Sequence, residues 1–247
     1  MRFTILYSLF ALCLTTTLKA SDDPNAIFGR ANADYAAGKF SGAIDGYESL
    51  VKSGHWNASV FYDLGNAYFR KNDLGRAILN YERALALDPA QPEARANLQL
   101  VRDRARALEL NPNWAETHLN FLTRDQYTWL AATGFWGAIA IGLGLNFSKR
   151  RPVVWTFTMV LLGLIAAGAA ATAYQLENGT SGRDLAIVVG KNVTARLAAA
   201  DSVGTILVLP PGSEIKILST RGSWDYAALP NDQKGWIPNG SAERVRL

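Results

Sequence analysis

Asn32 and Asn66 carry the clearest chemical signal in the chain, because they recur with similar aromatic neighbours 34 residues apart. A side-chain amide both donates and accepts hydrogen bonds, so it can pair with the backbone of an extended peptide. A nearby arginine can meet a carboxylate. The predicted partner-binding residues are Phe28, Asn32, Tyr35, Tyr62, Asn66, Phe69 and Arg70. The alternative for Phe28 and Tyr62 is that they only pack between helices.

The chain offers little for catalysis. His55 and His118 are its only histidines, and they lie in separate segments with no cysteine nearby. Neither a zinc site nor a Cys/His or Ser/His nucleophile can be assembled from them. We therefore predict no enzymatic activity, no metal site and no cofactor.

The spacing of 34 extends to the residues that must position this surface. Small residues at recurring positions let two helices approach closely, and aromatic residues fill the gap to the next pair. The pattern predicts an all-α repeat domain over residues 22–121, with repeats at about 24–57 and 58–91 and a capping helix at about 93–110. The positions that share the spacing include Ala31 and Gly65, Ala43 and Ala77, and Tyr47 and Tyr81.

The repeat resembles the tetratricopeptide family, most clearly in its second copy. The first copy departs from the family pattern at Arg30 and His55. In that family, the positions of Asn32 and Asn66 face a concave groove, so the resemblance implies a groove that holds a partner. Such arrays usually need three or more units, so this short one is expected to lean on a membrane surface or a partner. The family pattern is matched by Leu64, Gly65, Tyr68, Ala77, Tyr81, Ala84 and Pro89.

Two long apolar segments, Thr128–Leu145 and Val153–Gln175, follow the repeat. Neither contains a charged residue, and each is close to the roughly 20 apolar residues that a membrane-spanning helix needs. We predict two transmembrane helices, at 128–145 and 153–175. Two buried helices of a soluble core are the alternative, which is disfavoured because such helices seldom remain uncharged over this length.

The basic loop at 146–152 predicts the orientation of this hairpin. Its cations are Lys149, Arg150 and Arg151. Positive loops stay in the cytoplasm, so both flanking regions should lie on the other side of the membrane. A signal peptide at 1–20, with Arg2 before an apolar run, predicts the same topology. The net charge of +4 is accounted for by these targeting and topology residues, so it gives no case for nucleic acid.

Short β-rich runs separated by turn residues predict a small antiparallel barrel over 181–247. A flexible linker at Glu177–Gly182 is expected to precede it. The predicted strands are Ala186–Val189, Thr205–Leu209, Glu214–Ser219, Trp224–Leu229 and Gly235–Ile237.

This tail resembles the bacterial SH3-like family through Pro211-Gly212, Trp224-Asp225-Tyr226 and Gly235-Trp236-Ile237. It departs from the family at about 192–199, where the usual Arg-Ser-Gly-Pro segment is missing. Trp224, Tyr226 and Trp236 can line an aromatic ligand surface or form the core of the barrel, and the core is the preferred interpretation for Trp236.

The whole architecture is multidomain: a signal, an all-α tetratricopeptide repeat, a two-helix transmembrane hairpin and a small all-β SH3-like barrel. This order resembles the BatE-type membrane proteins of the bacterial aerotolerance group. The resemblance implies a noncatalytic protein of the inner (cytoplasmic) membrane, with both soluble domains periplasmic, that works beside membrane proteins carrying von Willebrand-type domains. We predict a cell-envelope scaffold or adaptor. The alternative is a peptidoglycan-binding tether, or a targeting subunit of a cell-wall enzyme.

Overall fold

The computed structural model describes residues 23–119, 121–148, 153–180 and 182–246. The predicted signal peptide and the loop cations Lys149, Arg150 and Arg151 lie outside the described residues. The predicted order of helical repeat, two apolar helices and antiparallel all-β region is confirmed.

Five helices form the helical array: α1 (Pro24–Ala36), α2 (Phe40–Lys52), α3 (Ala58–Arg70), α4 (Leu74–Leu87) and α5 (Pro92–Ala105). Gly38, Asn72 and Arg106 end α1, α3 and α5 with positive φ angles of 76°, 59° and 52°. These residues are 34 positions apart, so the period of the backbone continues into α5. A left-handed residue just after a helix is a common C-terminal cap. The helix α5 is therefore equivalent to the first helix of a third repeat.

The packing inside the array explains the spacing of the small residues. Tyr47 and Tyr81 are 1% and 0% exposed. A methyl group at Gly65 would lie 2.8 Å from the Tyr81 ring, so the close approach of α3 and α4 requires a glycine there. The predicted pairing of small and aromatic residues is therefore a packing pattern of the core.

The helices α6 (Trp114–His118), α7 (Arg124–Phe147) and α8 (Val153–Glu177) follow the array. Two of them, α7 and α8, are long and apolar enough to cross a membrane. They pack against each other where Gly134 meets Ala166. Only 6% and 11% of their most apolar windows are buried, which contradicts the alternative of soluble core helices. Their exposed large side chains include Trp129, Phe135, Trp136, Leu143, Trp155, Phe157 and Leu164.

Seven strands form one antiparallel sheet, which we call the β domain, in the order β3-β2-β6-β5-β4-β1-β7. The five predicted strands are present. Two further strands, β2 and β7, were missed. The strands are β1 (Leu185–Val188), β2 (Val193–Arg196), β3 (Thr205–Leu209), β4 (Glu214–Arg221), β5 (Trp224–Ala228), β6 (Lys234–Pro238) and β7 (Ala242–Arg244).

The strand β1 joins the two soluble regions into one core. Successive side chains of a strand point to opposite faces. Leu185 and Ile187 belong to the apolar cluster of the helical array, whereas Ala186 and Val188 belong to the cluster inside the β domain. All four are buried. The helical array and the β domain therefore share a strand rather than touching only at their surfaces.

The segment between α8 and β1 is not the flexible linker that was predicted. The Thr180 hydroxyl donates to the Glu116 carboxylate at 2.9 Å, and the Lys216 ammonium donates to the Asn178 carbonyl. Gly179 is buried against Glu116, where a methyl group would collide with the carboxylate. These contacts tie the end of α8 to α6 and to the β domain.

Candidate functional site

One exposed surface of the helical array gathers the predicted partner-binding residues with two residues that the sequence analysis missed. We call this surface the groove face. It consists of Phe28, Asn32 and Tyr35 on α1, Tyr62, Asn66, Phe69 and Arg70 on α3, and Asn97 and Arg104 on α5.

The two asparagines of the groove face accept hydrogen bonds from the two core tyrosines. Tyr47 Oη donates to Asn32 Oδ1 at 2.5 Å, and Tyr81 Oη donates to Asn66 Oδ1 at 2.8 Å. Burial raises the pKa of both tyrosines, which keeps their hydroxyls protonated. A buried hydroxyl without a partner is costly, so each tyrosine needs a polar acceptor on the neighbouring helix. The interpretation that packing has no use for these asparagines is wrong, while their role in partner binding stays a prediction.

Asn97 extends the amide row from α3 to α5. Its Nδ2 donates to Asn66 Oδ1 at 3.1 Å and to Tyr62 Oη at 3.3 Å. The Asn66 amide also hydrogen-bonds the Asp63 carboxyl, whose pKa is raised by burial. Asn97 is not 34 residues from Asn66, so the period of the sequence gave no signal for it.

Two arginines flank the amide row. The Arg70 guanidinium lies 4.5 Å from the centroid of the Phe40 ring, and that of Arg104 lies 5.4 Å from the Phe69 centroid. Both are exposed and keep hydrogen-bond donors for an anionic partner. Arg104 is 34 residues after Arg70, so extending the period into α5 would have found it.

The aromatic residues of the groove face combine both roles that the sequence left open. Phe28 lies 5.9 Å from the Tyr47 ring, and Tyr62 lies 6.0 Å from the Tyr81 ring. Both are half-buried, so they pack against the core tyrosines and still present part of their surface to solvent. Tyr35 has the same arrangement over Phe40, with 5.5 Å between ring centroids.

The predicted aromatic surface of the β domain lies outside its core. The rings of Tyr226 and Trp236 stack on neighbouring strands with centroids 4.9 Å apart. The preferred core interpretation for Trp236 is wrong: Trp236 is half-buried, and Ile237 points into the core instead. The alternation of the strand decides this, since neighbours in sequence face opposite sides. Trp224 is also half-buried, two residues before Tyr226 on the same face of β5.

The other side of the helical array, which we call the covered face, is occupied by the β domain. Arg102 on α5 contacts two carboxylates there: Glu82 on α4 at 2.5 Å and Glu214 on β4. Burial raises the pKa of Glu82 to about 7 and also raises that of Glu214, because two carboxylates share one guanidinium. Leu110 N donates to Glu214 Oε2 at 3.0 Å.

Further contacts hold the β domain close to α4. Arg83 donates to the Arg244 carbonyl at 2.9 Å. Gly75 lies against β1, where a methyl group would be 2.8 Å from the Val188 carbonyl oxygen. The sequence analysis did not predict this interface. Its signal was the unbroken apolar run of β1, because a strand that is buried on both faces does not alternate.

The two histidines lie apart from these surfaces. His55 Nδ1 is 3.2 Å from Ser53 Oγ, and the His118 ring stacks on Trp114 at 5.4 Å. Over the described ranges, no group of three or more His, Cys, Asp or Glu side chains could hold a metal ion.

Comparison with known proteins supports one part of the chain. Residues 65–101, which run from within α3 into α5, match the family model described as TPR repeat, the tetratricopeptide repeat. No curated protein matches the chain. The matched residues contain Asn66, Phe69, Arg70 and Asn97 of the groove face, and TPR repeats are typically noncatalytic interaction modules.

Proposed function

We propose that this protein is a membrane-anchored scaffold that binds an extended segment of a partner protein on its groove face. The single observation that carries the proposal is the amide row of Asn66 and Asn97, flanked by Arg70 and Arg104 on one exposed surface. Amides can pair with a peptide backbone and arginines with carboxylates. The covered face is already occupied by the β domain, which leaves the groove face for the partner.

The proposal includes a membrane hairpin made of α7 and α8. Their exposed apolar side chains need a lipid environment, since so large an apolar surface in water favours association. Arg124 at the start of α7 pairs with Glu177 at the end of α8, so both helices enter the hairpin at one end. The signal peptide and the loop cations support an extracytoplasmic position for both soluble regions, at the bacterial cytoplasmic membrane.

Reporter fusions test this topology. Alkaline phosphatase is active only after export, so a fusion after Leu247 should be active in a bacterial host and a fusion at Arg150 inactive. The reverse pattern would overturn the orientation. Full activity at both sites would show that the hairpin does not span the membrane.

Site-specific photo-crosslinking tests the groove face. A benzoylphenylalanine in place of Arg70 should give a discrete crosslinked product in native membranes. The same probe in place of Lys52, which is exposed on α2 and pairs with Glu48, serves as the control. Equal products from both positions, or none from position 70, would contradict the proposal. Under the BatE-type resemblance, the crosslinked partner is a membrane protein with a von Willebrand-type domain.

A second candidate function, a peptidoglycan-binding tether, is favoured by the outward stack of Tyr226 and Trp236. Aromatic faces of this kind pack well against sugar rings and other flat apolar groups. Because β1 takes half of its packing from the helical array, the test uses the full chain in detergent. Retention by purified sacculi that Trp236→Ala abolishes would support the tether. Retention that is absent, or unchanged in the variant, would exclude this surface as its basis.

A further inference from the structure

A second polar site lies where the helical array meets the β domain. We call it the junction cleft. It has a volume of about 530 Å³, with Asn72, Asp73 and Arg76 on the helical side and Lys191, Asn192 and Gly240 on the β side. The two walls are held together beside it by the close approach of Gly75 to the Val188 carbonyl. The cleft is therefore a feature of the joined domains, and neither domain contains it alone.

The charges in the junction cleft favour an anion. Arg76 pairs with Asp73 at 2.9 Å, which neutralises the carboxylate of the cleft. Lys191 is exposed, and within the part of the chain that the structure describes it has no carboxylate at ion-pair distance. Its ammonium is left with three donors for a ligand. An added carboxylate would therefore meet one uncompensated cation beside the donors of Asn72 and Asn192.

The junction cleft is continuous with the groove face through one arginine. Arg104 lies over the Phe69 ring, which belongs to the groove face, and its Nη2 donates to Asn72 Oδ1 at 3.1 Å, which lines the cleft. A chain that leaves the groove face at Phe69 would therefore pass Arg104 before it reaches Lys191. The cations along this route are Arg70, Arg104, Arg76 and Lys191.

We propose that the junction cleft binds acidic side chains of the same partner segment that lies on the groove face. The partner is thus a polypeptide with an extended part for the amide row and a cluster of Asp or Glu residues at one end. This inference rests on the proposed function, because it needs a partner in the groove. A polypeptide is favoured over an anionic glycan because the adjoining surface presents amides and aromatics suited to a peptide backbone. The β domain then takes part in partner recognition.

The test uses the full chain in phospholipid nanodiscs and a library of random 12-residue peptides displayed on phage. Selection on the wild-type protein should enrich peptides with acidic residues clustered at one end. A fluorescein-labelled copy of the most enriched peptide should bind Lys191→Glu about tenfold more weakly, since the exchange replaces attraction by repulsion. The matched control is Lys234→Glu, an exposed lysine of β6 outside the cleft, which should change binding less than twofold.

The outcomes separate the two proposals. Enriched peptides that crosslink to position 70 but carry no acidic cluster, or that bind Lys191→Glu normally, would overturn the junction cleft and leave the groove face standing. A library that yields no enriched peptide would overturn both. Retention by peptidoglycan sacculi that Lys191→Glu abolishes, with no acidic peptide enriched, would assign the cleft to a glycan and overturn this proposal.

Discussion

The helical array has two faces of opposite character, although α5 contributes to both. The groove face is exposed and carries amides, half-buried aromatic rings and the arginines Arg70 and Arg104. The covered face buries Glu82 and Arg102 against Glu214 of the β domain. The difference shows that one side of the array serves stability and only the other remains available for a partner.

The covered face also explains how so short an array is stable. After Arg106, where a second helix of the third repeat would begin, the chain runs extended along the β domain. Glu214 N donates to the Leu108 carbonyl at 2.8 Å, and Leu108 N donates to Ser213 Oγ at 3.1 Å. Terminal repeats need a cap over their apolar side. A partner or a membrane surface was expected to support the array, but the β domain of the same chain supports it.

The sharpest way to break the contrast is to remove the shared cation of the covered face. Arg102→Ala leaves Glu82 and Glu214 without their guanidinium, so we expect a loss of about 3–5 kcal/mol in the free energy of unfolding. Urea denaturation of the detergent-solubilised protein, followed by tryptophan fluorescence, measures this. Arg95→Ala, an exposed arginine of α5, should cost less than about 1 kcal/mol. Equal losses would contradict the role of the covered face.

The pH dependence of stability should follow from Glu82. Its pKa is raised from 4.5 to about 7, so the folded protein holds this proton more tightly than the unfolded chain does. The resulting stability is complete below pH 4.5 and is lost as the pH rises through about 7, a fall of up to about 3 kcal/mol. Glu82→Gln should remove this part of the slope in urea denaturation at several pH values. Glu93→Gln on exposed α5 surface should retain it, and a slope unchanged in both variants would refute the assignment.

A matched pair of glycine substitutions tests the close approach of α4 and β1. Gly75→Ala places a methyl group 2.8 Å from the Val188 carbonyl oxygen and should cost about 1–3 kcal/mol. Gly29→Ala on α1 has no atom within 4 Å of the new methyl group and should stabilise the helix by up to about 1 kcal/mol. Thermal unfolding should move in opposite directions for the two variants. A shift in the same direction would mean that the interface yields easily.

The smallest expected effect concerns the groove face. Tyr81→Phe and Asn66→Ala remove the same hydrogen bond, so each should lower the free energy of unfolding by about 1 kcal/mol. Their combination should cost little more than either one, which a double-mutant cycle measures. Fully additive losses would show that the pair does not act together. Replacing the asparagines therefore weakens the fold as well as the groove, which makes Arg70 and Arg104 the cleaner probes of binding.

The sequence by itself determined the features that depend on neighbours within one period. Helix pairs follow from the spacing of 34, because a residue's burial in a repeat is set by the next turn and the next helix. The apolar segments of α7 and α8 follow from composition, and the five predicted strands follow from their turn residues. Seven residues of the groove face were found in this way, since six of them recur in register and Arg70 adjoins them.

Only the tertiary structure decided what lies against each buried surface. Arg102 and Glu214 are 112 residues apart in the chain, and nothing local in either segment identifies the other as its partner. The two faces of β1, the hydrogen bonds of Asn32 and Asn66 to core tyrosines, and the junction cleft have the same origin. Periodicity records that a side chain is buried, whereas the identity of its neighbour depends on how distant segments pack together. The covered face, and with it the single open face for a partner, is a product of that packing.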